Sequence, residues 1–133
     1  MNIAIIFAGG IGQRMGSNIP KQFLKVYGKP IIIHTLEKFQ YNSNIDLIYV
    51  ACKEDLIPLF NELIHKYQIT KIPNNGVVPG GKTGQDSIYN ALCAAKRENS
   101  GDSIVLIHDG VRPIITDDVI NKNIESVIQN GSA

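Results

Sequence analysis

Residues 3–16 read Ile3-Ala4-Ile5-Ile6-Phe7-Ala8-Gly9-Gly10-Ile11-Gly12-Gln13-Arg14-Met15-Gly16, and their first half decides the fold class. Ile3 to Phe7 is an unbroken apolar run that stops at glycines. A strand with water on one face alternates apolar and polar residues, so an unbroken run predicts a parallel strand covered by helices on both faces. The glycines that follow let backbone N–H groups come close to an anion. Arg14 and Lys21 bring two positive charges to the same strand end. The reading is of a polyphosphate loop, against the plainer one of a glycine turn with two solvated cations. A dinucleotide-binding loop fits less well, because Gly10-x-Gly12-x-x-x-Gly16 has the wrong last spacing and Pro20 stops a helix from opening there.

Working outward, strands and helices alternate. Ile32, Thr35, Leu36 and Phe39 recur at helical spacing after Pro30, which is placed in a first turn. Leu47 to Ala51 is a second buried strand, and Leu56, Leu59, Phe60, Leu63, Ile64 and Tyr67 mark an amphipathic helix. A loop rich in Pro, Gly and Asn covers Pro73 to Gly81, after which Ile88, Ala91, Leu92 and Ala95 repeat the helical pattern. Ile104 to Ile107 is the next strand. Thr116 is read as the N-cap of a last helix, with Asp117 and Asp118 at its positive end and Ile120, Ile124, Val127 and Ile128 facing inward. This order predicts a Rossmann-like, three-layer α/β/α domain with a mostly parallel sheet and ligands at the carboxyl ends of its strands.

The chain has 133 residues, 44% hydrophobic and 19% charged, which suits one compact domain with a core. Its 13 Lys and Arg balance 12 Asp and Glu to a net +1. No basic stripe invites a nucleic-acid backbone. Cys52 and Cys93 lack metal-ligand spacing and read as reduced, structural thiols, so a cytoplasmic location is expected. The apolar start is too short to span a bilayer and has no basic region before it, so no membrane is expected as a partner. Gln129-Asn130-Gly131 reads as a helix stop, and Ser132-Ala133 then looks like the start of a connection. Residues 1–133 are therefore expected to be the nucleotide-binding part of a single, longer domain.

Two further loops carry chemistry. Pro79-Gly80-Gly81-Lys82-Thr83-Gly84-Gln85-Asp86-Ser87 leads into a helix that Thr83 or Asp86 would cap, which suits an anion at the helix N-terminus. Gly76 to Thr83 also satisfies the G-x-x-x-x-G-K-[ST] pattern of a P-loop. Against that reading, Lys71-Ile72-Pro73-Asn74-Asn75 is not the buried strand a P-loop needs before it. The third loop is His108-Asp109-Gly110-Val111-Arg112-Pro113. Asp109, at the end of a strand read as central, is placed to hold Mg²⁺ against phosphate oxygens, and Arg112 is placed to meet a second anionic substrate. His108 is read as a neutral imidazole tied into the loop, and an Asp109–Arg112 ion pair is the structural alternative to ligand binding.

Taken together, AGGIGQRMG, PKQF, HTLEKF, PGG, DSIYNAL and HDGVRP, in that order over nearly all of the chain, resemble the cytidylyltransferase family that includes methylerythritol-phosphate and ribitol-5-phosphate cytidylyltransferases. The resemblance implies a nucleotidyltransferase fold and transfer of CMP from CTP to a polyol phosphate, with Mg²⁺ as cofactor and pyrophosphate as product. It implies that Phe7, Ala8, Gly9, Gly10 and Gly12 bind the CTP phosphates and that Arg14 and Lys21 are the catalytic cations. Gly81, Lys82, Thr83, Gly84, Gln85, Asp86 and Ser87 would take the cytosine and ribose, Asp109 the metal, and Arg112 the acceptor phosphate. Many members carry an arginine where this chain has Gly84, which bears on base selectivity. Members are also longer than this chain; their later half supplies more acceptor contacts, another lysine near the phosphates and a dimerisation arm, so a homodimer is implied for the full-length protein. Val111 and the TGQDSIYNAL stretch lean to the ribitol-5-phosphate branch, tied to teichoic acid or capsule synthesis, over the methylerythritol branch of isoprenoid synthesis. Hexose-1-phosphate nucleotidyltransferases and molybdopterin guanylyltransferases would share the first loop.

Overall fold

The computed structural model describes residues 1–8, 21–99 and 101–131. In chain order the elements are β1 (Asn2–Phe7), β2 (Lys25–Val26), β3 (Lys29–Pro30), α1 (Ile31–Gln40), β4 (Leu47–Cys52), α2 (Ile57–Lys66), β5 (Val77–Pro79), α3 (Gly84–Glu98), β6 (Ile104–Asp109) and α4 (Asp117–Asn130). Four strands form a parallel sheet in the order β5-β4-β1-β6, so the chain steps outward on one side of β1 and then crosses to the other. That reversal beside β1 is the kind of switch point at whose strand carboxyl ends open α/β sheets take ligands.

The apolar run of β1 is explained by its two faces. Ala4 and Ile6 pack on one side with Ile32, Leu36 and Phe39 of α1, Phe60 of α2 and Ile120 of α4. Ile3 and Ile5 pack on the other with Tyr49, Ala91, Ala94 and Ala95, the last three from α3. These four of the six β1 residues are at most 2% exposed. Burying each isoleucine contributes about 2–3 kcal/mol before the entropy of ordering it. The predicted α/β/α layering is what forms.

Several local expectations change. Pro30 is the residue before α1, with φ −55° and ψ 143°, rather than part of its first turn. A 3₁₀ turn over Glu54–Leu56 precedes α2, so Leu56 lies outside that helix. Leu59 and Ile128, both expected inward, are 40% and 69% exposed. Among the described residues β6, read as central, is an edge strand paired with β1, and Ile107 is half-exposed.

Two elements were not expected. The β2–β3 hairpin turns on Tyr27 and Gly28, both at positive φ (52° and 79°), the pair of left-handed residues that a two-residue type I′ turn demands. β5 lies inside the stretch read as loop and pairs with Val50–Cys52. It also disposes of the P-loop reading. Residues 77–79 are extended strand, so Gly76 to Thr83 cannot wrap around a phosphate as one nest, and no strand lies over Lys71–Asn75. No helix among the described residues is long and apolar enough to cross a membrane.

Candidate functional site

The strand ends lie in register. Phe7 of β1 stands beside Ala51 of β4 and Asp109 of β6, and Cys52 stands beside Pro79. Backbone bonds carry the ladder one step past each strand: Ala8 N–H donates to Ala51 O at 2.8 Å, Gly80 N–H to Cys52 O at 2.6 Å and Gly110 N–H to Phe7 O at 3.0 Å. Three loops therefore start from one rim. With strands about 4.8 Å apart, the rim is about 14 Å wide from β5 to β6. The predicted residues Phe7, Ala8, Gly81, Ser87, Asp109 and Arg112 all belong to it or to the turns that leave it. Gly9, Gly10, Gly12 and Arg14 lie outside the described residues.

At the β5 end, Gly80 and Gly81 turn the chain into α3. A Cβ on Gly81 would stand 2.1 Å from Asp86 Cβ, so only glycine lets this turn lie against the helix. Of the two residues read as caps, Thr83 is the N-cap, accepting from Asp86 N–H at 3.1 Å. Ser87 is 1% exposed; its hydroxyl accepts from Gly81 N–H at 3.1 Å and donates to Thr83 O at 3.2 Å. Its evident work is to fasten the turn to the helix. Lys82, Thr83, Gly84, Gln85 and Asp86 are exposed around the N-terminus of α3. There the first amides of a helix have no intrahelical acceptor and favour an anion or a carbonyl oxygen. A cavity of about 520 Å³ lies beside this turn, lined by Lys53, Glu54, Asp55, Gly80 and Gly81.

At the β6 end, Gly110 locks the turn onto the core. A Cβ there would meet Ile32 Cδ1 at 2.6 Å, and Thr35 Oγ1 donates to Gly110 O at 2.7 Å. This holds Asp109 at the rim. Its Oδ1 accepts from Val111 N–H at 3.0 Å, while Oδ2 stands 3.8 Å from Arg112 Nε. Arg112 is 77% exposed, so that contact is a weak restraint and leaves both groups free for ligand. His108 Nε2 donates to Arg112 O at 2.8 Å and its ring packs on Phe39, centroids 5.4 Å apart, which makes it the loop fastener expected. Among the described residues no three His, Cys, Asp or Glu side chains gather as a metal cage. Asp109 alone suits Mg²⁺, which takes one or two carboxylates and fills its remaining positions with substrate phosphates and water. A further cavity, of about 980 Å³, runs along β6 and α4, with Arg112 on its wall.

At the β1 end, Lys21 and Gln22 open a 3₁₀ turn over Lys21–Phe23. Lys21 is exposed, whereas Gln22 is 1% exposed and donates from Nε2 to Ala8 O at 3.1 Å. Gln22 Oε1 is buried with no partner among the described residues. An unmet acceptor of that kind costs about 1–3 kcal/mol. Sequence reasoning passed over Gln22, because a glutamine between a lysine and a phenylalanine reads as surface. Cys52 is fully buried, and burial, helped by the Asp55 charge, pushes its thiol up to about 12. It is an inert core residue, as expected.

Comparison with known proteins agrees with this geometry. The family described as IspD, 2-C-methyl-D-erythritol 4-phosphate cytidylyltransferase, matches residues 2–133. The chain is 55% identical over its whole length to a ribitol-5-phosphate cytidylyltransferase of Vibrio parahaemolyticus, of which it covers 56%. It is 45% identical over 99% of its length to a 2-C-methyl-D-erythritol 4-phosphate cytidylyltransferase of Clostridium botulinum, again covering 56%. The crystal structure of 4-diphosphocytidyl-2C-methyl-D-erythritol synthase from Anaerococcus prevotii matches 97% of this chain and 51% of its own, with a TM-score of 0.73 at 26% identity. The chain thus spans a little over half the length of the curated relatives it matches. A parallel sheet with three loops rising from one rim, and a match that runs from residue 2 to residue 133, have one common explanation: the chain belongs to the 2-C-methyl-D-erythritol 4-phosphate cytidylyltransferase family.

Proposed function

We propose that this chain carries the nucleotide-binding portion of a cytoplasmic, homodimeric ribitol-5-phosphate cytidylyltransferase, which transfers CMP from CTP to D-ribitol 5-phosphate. A phosphate oxygen of the acceptor attacks the α-phosphorus of CTP in line. The new P–O bond forms as the bond to the bridging α–β oxygen breaks, and pyrophosphate leaves with that electron pair. No covalent enzyme intermediate is needed, so positioning and charge neutralisation supply the rate. Lys21 and Arg14 stabilise the negative charge that spreads over the phosphate oxygens. The Gly9, Gly10 and Gly12 amides cradle the phosphates beside Phe7 and Ala8. The turn from Gly81 to Ser87 receives cytosine and ribose at the far end of the rim, and Arg112 takes the acceptor phosphate. Asp109 would hold Mg²⁺, which when bound adds positive charge at the phosphates.

The observation that carries the choice of acceptor is the identity gradient: 51–55% to ribitol-5-phosphate enzymes against 45% to a methylerythritol-phosphate enzyme over nearly the same span. The test is pyrophosphate release by the full-length protein with CTP and either acceptor. Turnover with ribitol 5-phosphate, lost on Arg14→Ala or Lys21→Ala and weakened far less, through KM for CTP, on Lys82→Ala, is the expected result. Preference for methylerythritol phosphate moves the protein to the other branch. Preference for ATP or GTP over CTP sinks the reading.

A further inference from the structure

Gln22 has no role in the reaction as described above, yet its placement is more constrained than that of Lys21 beside it. The side chain is 1% exposed and reaches back 14 residues in sequence to donate to Ala8 O at 3.1 Å. Ala8 is itself fixed, because its N–H donates to Ala51 O at 2.8 Å. Gln22 therefore pins the 3₁₀ turn to the backbone of the central strand at the rim. Phe23 holds the turn from another direction, its ring edge-on to Phe60 with centroids 5.1 Å apart. Leu24 N–H closes it on Lys21 O at 3.2 Å, and Leu24 O accepts from Ile31 N–H at 2.8 Å. The backbone of Lys21 is anchored by its neighbours while its own side chain stands in solvent.

A purely structural residue at this spot has a simpler solution. Methionine would fill a similar volume and carry no buried acceptor to satisfy, whereas Gln22 Oε1 finds no partner among the described residues. What methionine cannot do is donate to Ala8 O. We propose that Gln22 is a positioning residue: its bond to Ala8 O sets where the Lys21 ammonium stands relative to the end of β1. The inference rests on the reading of Lys21 as a catalytic cation. A displacement of about 1 Å in a group that neutralises transition-state charge lowers turnover by up to about a hundredfold while leaving ground-state binding nearly intact.

The experiment is a double-mutant cycle in the full-length enzyme with Gln22→Met, Lys21→Ala and both together, reading kcat, KM for CTP and the melting temperature. The expected result is at least a tenfold fall in kcat for Gln22→Met, with KM changed less than about threefold, and no further fall when Gln22→Met is added to Lys21→Ala. An unchanged kcat, or the same fold loss in both backgrounds, overturns the inference. Lys21→Ala with the parent's kcat overturns the assignment of Lys21 itself, and this inference with it. Gln22→Glu gives a second readout should the methionine variant fold poorly. Its buried carboxyl can donate to Ala8 O only when protonated, so kcat relative to the parent rises as pH falls; a pH-independent ratio counts against the proposal.

Discussion

Replacing Gly81 with alanine puts a methyl carbon 2.1 Å from Asp86 Cβ and 3.2 Å from Asp86 Cα and carbonyl carbon. Carbon atoms in contact settle at about 3.5–4.0 Å, so the first of these is short by about 1.4 Å or more. No rotamer relieves it, because both Cβ positions are set by backbone. The turn must lift off α3, and the bond from Gly81 N–H to Ser87 Oγ, 3.1 Å long, is lost. Overpacking of this kind costs about 1–3 kcal/mol, and the lost bond about 1 kcal/mol more. The sum of roughly 2–4 kcal/mol lowers the melting temperature by about 10 °C for a chain of this size. Gly84 is the internal control. A Cβ there meets nothing within 4 Å, and the residue opens α3 directly after its cap. Gly84→Ala removes unfolded-state freedom and raises stability by about 0.4–1 kcal/mol. The same substitution three residues apart thus changes sign. Urea melts followed by circular dichroism read both values. A Gly81→Ala chain within about 1 kcal/mol of the parent would show that the turn has slack, and the argument that it is pressed against the helix would fail.

Two other outcomes are expected. The Cys52 thiol is raised from an ordinary value of 9.0 to about 12, chiefly by burial, so above pH 9 the unfolded chain releases a proton that the folded chain keeps. That contribution is therefore intact below pH 9 and is lost as pH climbs toward about 12. Denaturant melts of Cys52→Ala should lose stability less steeply than the parent over that window, and parallel slopes would contradict the assignment. Asp109→Ala should weaken CTP binding in the presence of Mg²⁺ and leave binding without the metal nearly unchanged. Calorimetric titration with and without Mg²⁺ decides this, and an equal loss in both would assign Asp109 to holding Val111 N–H instead.

The parts of the fold legible in the sequence were those whose pattern follows from burial alone. β1 and β4 are covered on both faces, so each must be an apolar run, and the helices show their buried stripes at helical spacing. The cap at Thr83 and the helix stop at Gly131, with φ 78°, follow from backbone chemistry that is local to the chain. What stayed hidden depends on partners distant in sequence. β5 has three residues, ends in proline and is a strand only because Val50–Cys52 offers a ladder. The hairpin at Tyr27-Gly28 has strands of two residues each, the first of them exposed, and a tyrosine where Asn or Asp gives the usual signal. The edge position of β6 is a matter of sheet order, which no run of residues encodes. At the rim, residues that approach ligand are visible as glycines, cations and an acid, whereas Gln22, Thr35 and Gly110, which hold those residues in place, look ordinary until the chain is folded.

Among the described residues, the two borders of the sheet differ in what they offer a further strand. β5 offers a neighbour only three residues and ends at Pro79, which has no N–H to give, so that border is poor at recruiting another strand. β6 offers six residues beside a broad apolar hollow in which Ile107 is half-exposed and Ile114 is 94% exposed. Among the described residues, then, the β6 border is the one with room and backbone groups for a further strand, and the β5 border is the one that refuses it.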